Sequence, residues 1–365
     1  MSSTIHRLLP AVLGFLLLAS CIDRIRIEIP DSELQLVVDG VITDEPGPYT
    51  VQLTRASRVD DFLNFRKFVT AKSVTIYDNI GNTELLNETQ MGVYQTKANG
   101  IQGVVGREYW IKIEMLDGRV YESIPDRMNP VGRLDSLYYE VETFQPISDP
   151  TQYGLRIYVD GKGIPEEDNL LRWKFQGTYV IDAYPLIHTS APFCTPDPRP
   201  CGSDFPCTCC RCWVTRNEDQ PHVSDNQFVS NGLFKRAEIV YIPIEYFPFQ
   251  IKYRISVKQM SLSRRAFDYW RIIQRQKEGA TSLFQPPTGI ARTNIVEKSG
   301  LGTTLGIFYA AAVKKKEVYI TRADVTRQLQ SITIPNWNCE VGIIAEDCRL
   351  AFPLSTTTRP ADWKD

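Results

Sequence analysis

The run Tyr109-Trp110-Ile111-Lys112-Ile113-Glu114-Met115, followed across Asp117-Gly118 by Val120-Tyr121-Glu122-Ser123, decides the fold. Apolar and polar side chains alternate at period two on both sides of the turn, as a half-buried strand requires. Asp-Gly accepts the positive φ of a tight hairpin, so the two runs read as paired strands. The same pattern extends upstream. Leu34 to Val38 leads to Gly40, Asp44 to Pro48 is a turn, and Tyr49 to Leu53 alternates again. Val74 to Asp78 precedes a turn at Asn79 to Asn82, and Tyr94 to Thr96 precedes Gly103 to Gly106. Roughly seven short strands in about 90 residues, without a helical period, predict an Ig-like β-sandwich. Its span is 34–124.

Pro125 to Pro130 reads as a linker, taken as 125–132. Beyond it, Leu137 to Val141, Leu155 to Val159, Leu171 to Val180, Ile239 to Ile242 and Ile251 to Lys258 are strands. The last alternates apolar with basic or polar residues, which predicts one packed face and one wet face. One helix is expected at about 262–278. Ser261 or Ser263 would cap it, Leu262, Ala266, Trp270 and Ile273 form its stripe, and Gly279 ends it. Leu305 to Val313 and Glu317 to Ile320 are expected to pair, with Lys314-Lys315-Lys316 as a solvated hairpin turn. The fold class is mainly β: an N-terminal Ig-like β-sandwich, then a larger β-sandwich-like domain over 133–365 with one helix and a cysteine-rich insertion at 194–212.

The N-terminus points to a compartment. His6 and Arg7 precede an apolar run, Leu8 to Leu18, that ends in Leu18-Ala19-Ser20-Cys21. That run is about 11 residues long, whereas a membrane-spanning helix needs about 20. A basic start, a short apolar middle and small residues before the cut make a secretory signal. A cysteine at the cut has the form of a lipobox. Residues 1–20 are therefore expected to be a lipoprotein signal peptide, Cys21 the lipidated residue and 21–33 a tether. A diacylglycerol anchors stably where a single acyl chain does not. The expected location is the outer membrane, on the cell surface or the periplasmic face.

A net charge of −2 supplies no field to gather a polyanion, so nucleic acid is not an expected partner. Hydrophobic residues at 43% and aromatic residues at 11% are enough for packed cores over this length.

Besides Cys21 the chain carries Cys194, Cys201, Cys207, Cys209, Cys210, Cys212, Cys339 and Cys348. An even number of thiols outside the cytosol predicts disulfides, which persist where the compartment is oxidising. Eight cysteines allow 105 pairings, so connectivity stays open. The adjacent Cys209 and Cys210 are excluded as partners by the separated Cα atoms a bridge needs. Cys339 and Cys348 enclose a short segment and are expected to form a local pair. The alternative chemistry is a thiolate metal site in the Cys194–Cys212 cluster. Its Cys-x-Cys-Cys-x-Cys spacing is not that of a zinc knuckle, and its surroundings read as a loop.

Only His188 and His222 remain after the signal. Without a Gly-x-Ser-x-Gly elbow they do not assemble a hydrolase motif. Glu166-Glu167-Asp168 with Asp160 lacks the spacing of an EF-hand. Gly300-Leu301-Gly302-Thr303-Thr304-Leu305-Gly306 resembles a dinucleotide loop but precedes a strand in place of a helix. No metal or cofactor is expected. The aromatics from Trp173 to Tyr184 and in Tyr246-Phe247-Pro248-Phe249 read as sandwich packing rather than as a ligand platform.

Leu36 to Tyr49, Gly103 to Arg107 with its following hairpin, Tyr253 to Trp270, Leu305 to Phe308 and the terminal cysteines near Trp363 form an ordered succession. It resembles the Bacteroidetes lipoproteins grouped as domain of unknown function 4249, over essentially the whole processed chain. The resemblance implies an envelope lipoprotein often encoded beside TonB-dependent outer-membrane receptors. It implies no activity and no catalytic residues. The expected function is a non-catalytic accessory or binding component of such a receptor, with its ligand unspecified. The alternatives are a metal-binding envelope protein using the cysteine cluster, and an envelope hydrolase.

Overall fold

A computed structural model describes residues 35–56, 67–144, 152–165, 168–182, 211–224, 232–279, 289–298, 300, 302–327 and 348–364. The expected signal, tether and lipidation site, Cys21 included, lie outside the described residues. The early strands are β1 (Leu36–Thr43), β2 (Thr50–Arg55), β3 (Lys67–Phe68), β4 (Ala71–Asp78), β5 (Thr83–Leu85), β6 (Asn87–Gln90), β7 (Val93–Gln95), β8 (Glu108–Met115), β9 (Val120–Ser123) and β10 (Asp126–Arg127). Longer strands follow: β11 (Arg133–Phe144), β12 (Gln152–Lys162), β13 (Leu171–Asp182), β14 (Arg211–Asn217), the short β15 (His222–Val223), β16 (Leu233–Pro243) and β17 (Lys252–Ser261). Helix α1 (Arg264–Gly279) precedes β18 (Ile295–Glu297), β19 (Thr304–Ala311) and β20 (Val313–Thr321). Two single turns, α2 (Arg322–Val325) and α3 (Cys348–Ala351), and strand β21 (Ser355–Thr356) complete the described elements.

The protein is mainly β, as expected, with several sheets and no closed barrel. The first sheet runs β19-β1-β2-β7-β6, with β3 on β2. The second runs β18-β9-β8-β4-β5, with β10 on β8. Their facing sides bury Leu36, Val38, Ile42, Val51 and Leu53 against Val74, Ile76, Tyr109, Ile111 and Ile113 in one core. The Asp117-Gly118 hairpin forms as read: Lys112, Ile113 and Glu114 face Glu122, Tyr121 and Val120. A three-stranded sheet, β11-β12-β16, faces a fourth, β20-β17-β13-β14-β21 with β15 on β13. Leu155, Ile157 and Val159 meet Trp173, Phe175, Tyr179 and Tyr253 between them.

Three expectations fail for physical reasons. First, the division at 125–132 does not separate two sequential domains. β19 lies parallel to β1 in full register, from Leu36 opposite Thr304 to Thr43 opposite Ala311, and β18 pairs with β9. The first sandwich is thus completed by strands from within 133–365, and residues 35–365 form one compact unit. Gly306 makes the return possible. Its φ is +87°, and a Cβ there would lie 1.9 Å from the Val38 carbonyl oxygen, so only glycine fits.

Second, residues 125–130 are not a free linker. Asp126 is buried; its carboxylate accepts a hydrogen bond from the Ser263 hydroxyl at 2.5 Å and from the Ala310 amide at 3.0 Å. Burial holds this carboxyl above the usual aspartate range, against the pull of those two hydrogen bonds.

Third, Lys314-Lys315-Lys316 is not a turn. It lies inside β20, at the edge of the fourth sheet, while β19 belongs to the first. The chain changes sheets at Ala312 without making a hairpin. Lysines on an edge strand discourage pairing with other chains.

The helix agrees closely with the sequence. Ser263, not Ser261, is the cap, its oxygen accepting the Ala266 amide at 3.1 Å. Ala266 and Phe267 are the buried helix residues. They pack with Leu262, Ile307, Tyr309 and Met260 on the outer side of β19. No helix among the described residues is long and apolar enough to cross a membrane.

Candidate functional site

A cavity of about 360 Å³ opens between the first sheet and the fourth. The outer face of β1 supplies Asp39 and Val41, and the β1–β2 connection supplies Glu45 and Tyr49. Lys174 of β13 and Lys258 of β17 close the opposite side. Alternation places Asp39 outward between the buried Val38 and Gly40.

Both walls are fixed by hydrogen bonds. The Tyr49 hydroxyl donates to the Thr43 carbonyl at 2.7 Å, and the Tyr49 amide to Thr96 Oγ1 at 2.8 Å. The Val313 amide donates to Asp44 Oδ1 at 2.7 Å, and Lys258 Nζ to Glu45 Oε2 at 2.5 Å. The β1–β2 connection is therefore tied to the fourth sheet on two sides.

The register of that sheet sets the cavity's charge. Lys174 stands directly opposite Lys258, which stands opposite Lys315, so three lysines form one row across adjacent strands. Like charges directly opposite one another are destabilising. Lys258 is compensated by Glu45, and Lys315 by Glu317 and Asp362. Lys174 has no ion pair or hydrogen bond among the described residues. It keeps exposed surface at the cavity mouth, yet the loss of water around it, and then the Arg172 charge, push its ammonium below the usual lysine range.

Next to Lys174 on the same face, Arg172 is buried. Its guanidinium pairs with Glu218, donates to the Tyr309 hydroxyl at 3.2 Å and lies 3.6 Å from the centre of the Trp270 ring. Burial opposes its charge, but the Tyr309 hydroxyl and Glu218 together hold its pKa above the ordinary arginine value. Glu218 balances the charge of this guanidinium beside the groove. Periodicity marks the strand but not the neighbours across it, so the lysine row was invisible in the sequence.

The sequence-derived candidates disperse. Cys194, Cys201, Cys207, Cys209, Cys210, Cys339 and His188 lie outside the described residues. Cys212 and Cys348 are bonded to each other, with Cα atoms 6.1 Å apart. The expected Cys339–Cys348 pair is thereby overturned. β21 pairs with β14, Ser355 opposite Val214 and Thr356 opposite Trp213, which brings Cys348 onto the end of β14. Trp363 then packs on Val180 and Trp213. The bond also takes Cys212 out of any thiolate cluster. Among the described residues no group of three metal-ligating side chains converges.

His222 sits on β15 opposite Trp173, its pKa lowered by burial, and no nucleophile or carboxylate bonds to it among the described residues. Asp160 is engaged by Ser136, Tyr138 and the Arg236 amide, and Asp168 by Arg264; Glu166 and Glu167 lie outside the described residues. Trp173, Phe175, Tyr179 and Phe249 are core, with the Trp173 indole donating to Gln259 Oε1 at 3.0 Å.

Fold and groove define a β protein of several sheets, with a charged cleft where the two sandwiches meet. The chain belongs to the family described as a domain of unknown function, DUF4249, which matches residues 22–317. The match includes every residue lining the cleft and stops short of Cys348 and Trp363. The resemblance read from the sequence is thereby shown over residues 22–317. No curated protein matches the chain.

Proposed function

We propose that this protein is a lipid-anchored envelope component that binds a ligand at the outer membrane on behalf of a TonB-dependent receptor and catalyses no reaction. The observation that carries the binding role is the cleft between the sandwiches. Its walls are pinned by hydrogen bonds, while Lys174 and Asp39 make no hydrogen bond or ion pair among the described residues. Rigid walls with uncommitted polar groups suit recognition, because little ordering is lost on binding. The anchor rests on Leu18-Ala19-Ser20-Cys21, and the receptor role on the implied association of the family with receptor genes. Affinity capture of the full chain in mild detergent is expected to recover a β-barrel receptor. Recovery of the protein alone would count against the receptor role.

A further inference from the structure

We propose that the cleft binds a small zwitterion, an amino acid or dipeptide with both ends free, its carboxylate on Lys174 and its amine on Asp39. This rests on reading the protein as a binding component and names the class of ligand.

The size fits. A cavity of about 360 Å³ holds on the order of a dozen waters at about 30 Å³ each, and lies at the small end of ligand sites, about 300–1,000 Å³.

The charges select the ligand. Four charged side chains line the cavity: Asp39, Glu45, Lys174 and Lys258. Glu45 and Lys258 satisfy each other. Asp39 and Lys174 attract one another across the cavity, Lys174 also feels Glu218 and Asp39 also feels Arg172, but neither closes a hydrogen bond or ion pair among the described residues. One free cation and one free anion on a rigid frame call for a ligand carrying the opposite pair.

A carboxylate on Lys174 would also relieve its like-charge contacts with Arg172 and, across the row, Lys258. A multiply charged anion is disfavoured, because Asp39 and Glu45 would repel the excess charge. Val41, Met260 and Val313 leave an apolar side for a small side chain.

The test uses the full chain in mild detergent, titrated calorimetrically with Ala-Ala, N-acetyl-Ala-Ala, Ala-Ala-amide and inorganic phosphate. Ala-Ala is expected to bind, and blocking either end is expected to weaken it at least about tenfold, the usual scale for a charge-assisted hydrogen bond. Lys174→Gln and Asp39→Asn should each weaken Ala-Ala by a similar factor, while Lys174→Arg retains it. Phosphate should not compete. No heat from Ala-Ala at about 10 mM, equal binding of the blocked peptides, or unchanged binding by both variants would overturn the assignment. Receptor capture by the wild-type chain, read separately from the titration, distinguishes failure of the receptor role from failure of the ligand assignment.

Discussion

Removing the Cys212–Cys348 bridge by the double substitution Cys212→Ala/Cys348→Ala should produce the largest single loss of stability in this protein. The two half-cystines are 136 residues apart in sequence. For a loop of that length the chain-entropy relation gives about 17 cal/mol/K, or about 5 kcal/mol at 25 °C. Native packing sets a second term, since both residues are fully buried in the core between the third and fourth sheets. Urea unfolding without reductant measures the difference through the midpoint and slope. A loss of about 3–5 kcal/mol is expected. Limited proteolysis should cut faster within 355–364, because the bridge, β21 and Trp363 hold the C-terminal strap together. A loss below about 1 kcal/mol, or alkylation of Cys348 in unreduced protein, would refute the reasoning.

Three further outcomes follow from single residues. Gly306→Ala should destabilise by more than the ~1–3 kcal/mol of a strained left-handed residue, because the new Cβ would also strike the Val38 carbonyl; an unchanged thermal midpoint would contradict the β1–β19 register. Arg172→Met should cost about 3–5 kcal/mol by leaving Glu218 without its cation, and Arg172→Met/Glu218→Gln should recover much of that; additive losses in urea would disprove the coupling. Asp126→Ala should cost about 1–3 kcal/mol by orphaning the Ala310 amide. The raised Asp126 pKa favours the fold below the unfolded value of 3.8, an advantage lost as pH rises through the folded value. Asp126→Asn should therefore gain on wild type as pH rises above the unfolded value of 3.8, and parallel stability curves would show that the shift is absent.

Local periodicity made most strands legible. Val120 to Ser123 matches β9 residue for residue, and the helix is displaced by only one or two residues at either end, with Phe267 buried beside Ala266 while Ile273 of the expected stripe is only half-buried. What failed was non-local. Nothing in Thr304–Ala311 says that it joins β1 rather than its neighbour β20, because that pairing depends on close backbone approach at Gly306. The wet face expected on Ile251 to Lys258 is largely covered: Arg254 and Ser256 are buried, with Arg254 engaged by Asp362 and beside Trp363. The cleft was missed for the same reason. Asp39, Lys174 and Lys258 are ordinary outward strand residues until the sheets bring them together.

Mass spectrometry of the processed N-terminus tests the proposed role most directly. A chain beginning at Cys21 and carrying a diacylglycerol on its sulfur is the expected species. A freely soluble product with residues 1–20 intact and Cys21 unmodified would contradict the anchor, the compartment and the receptor partnership together.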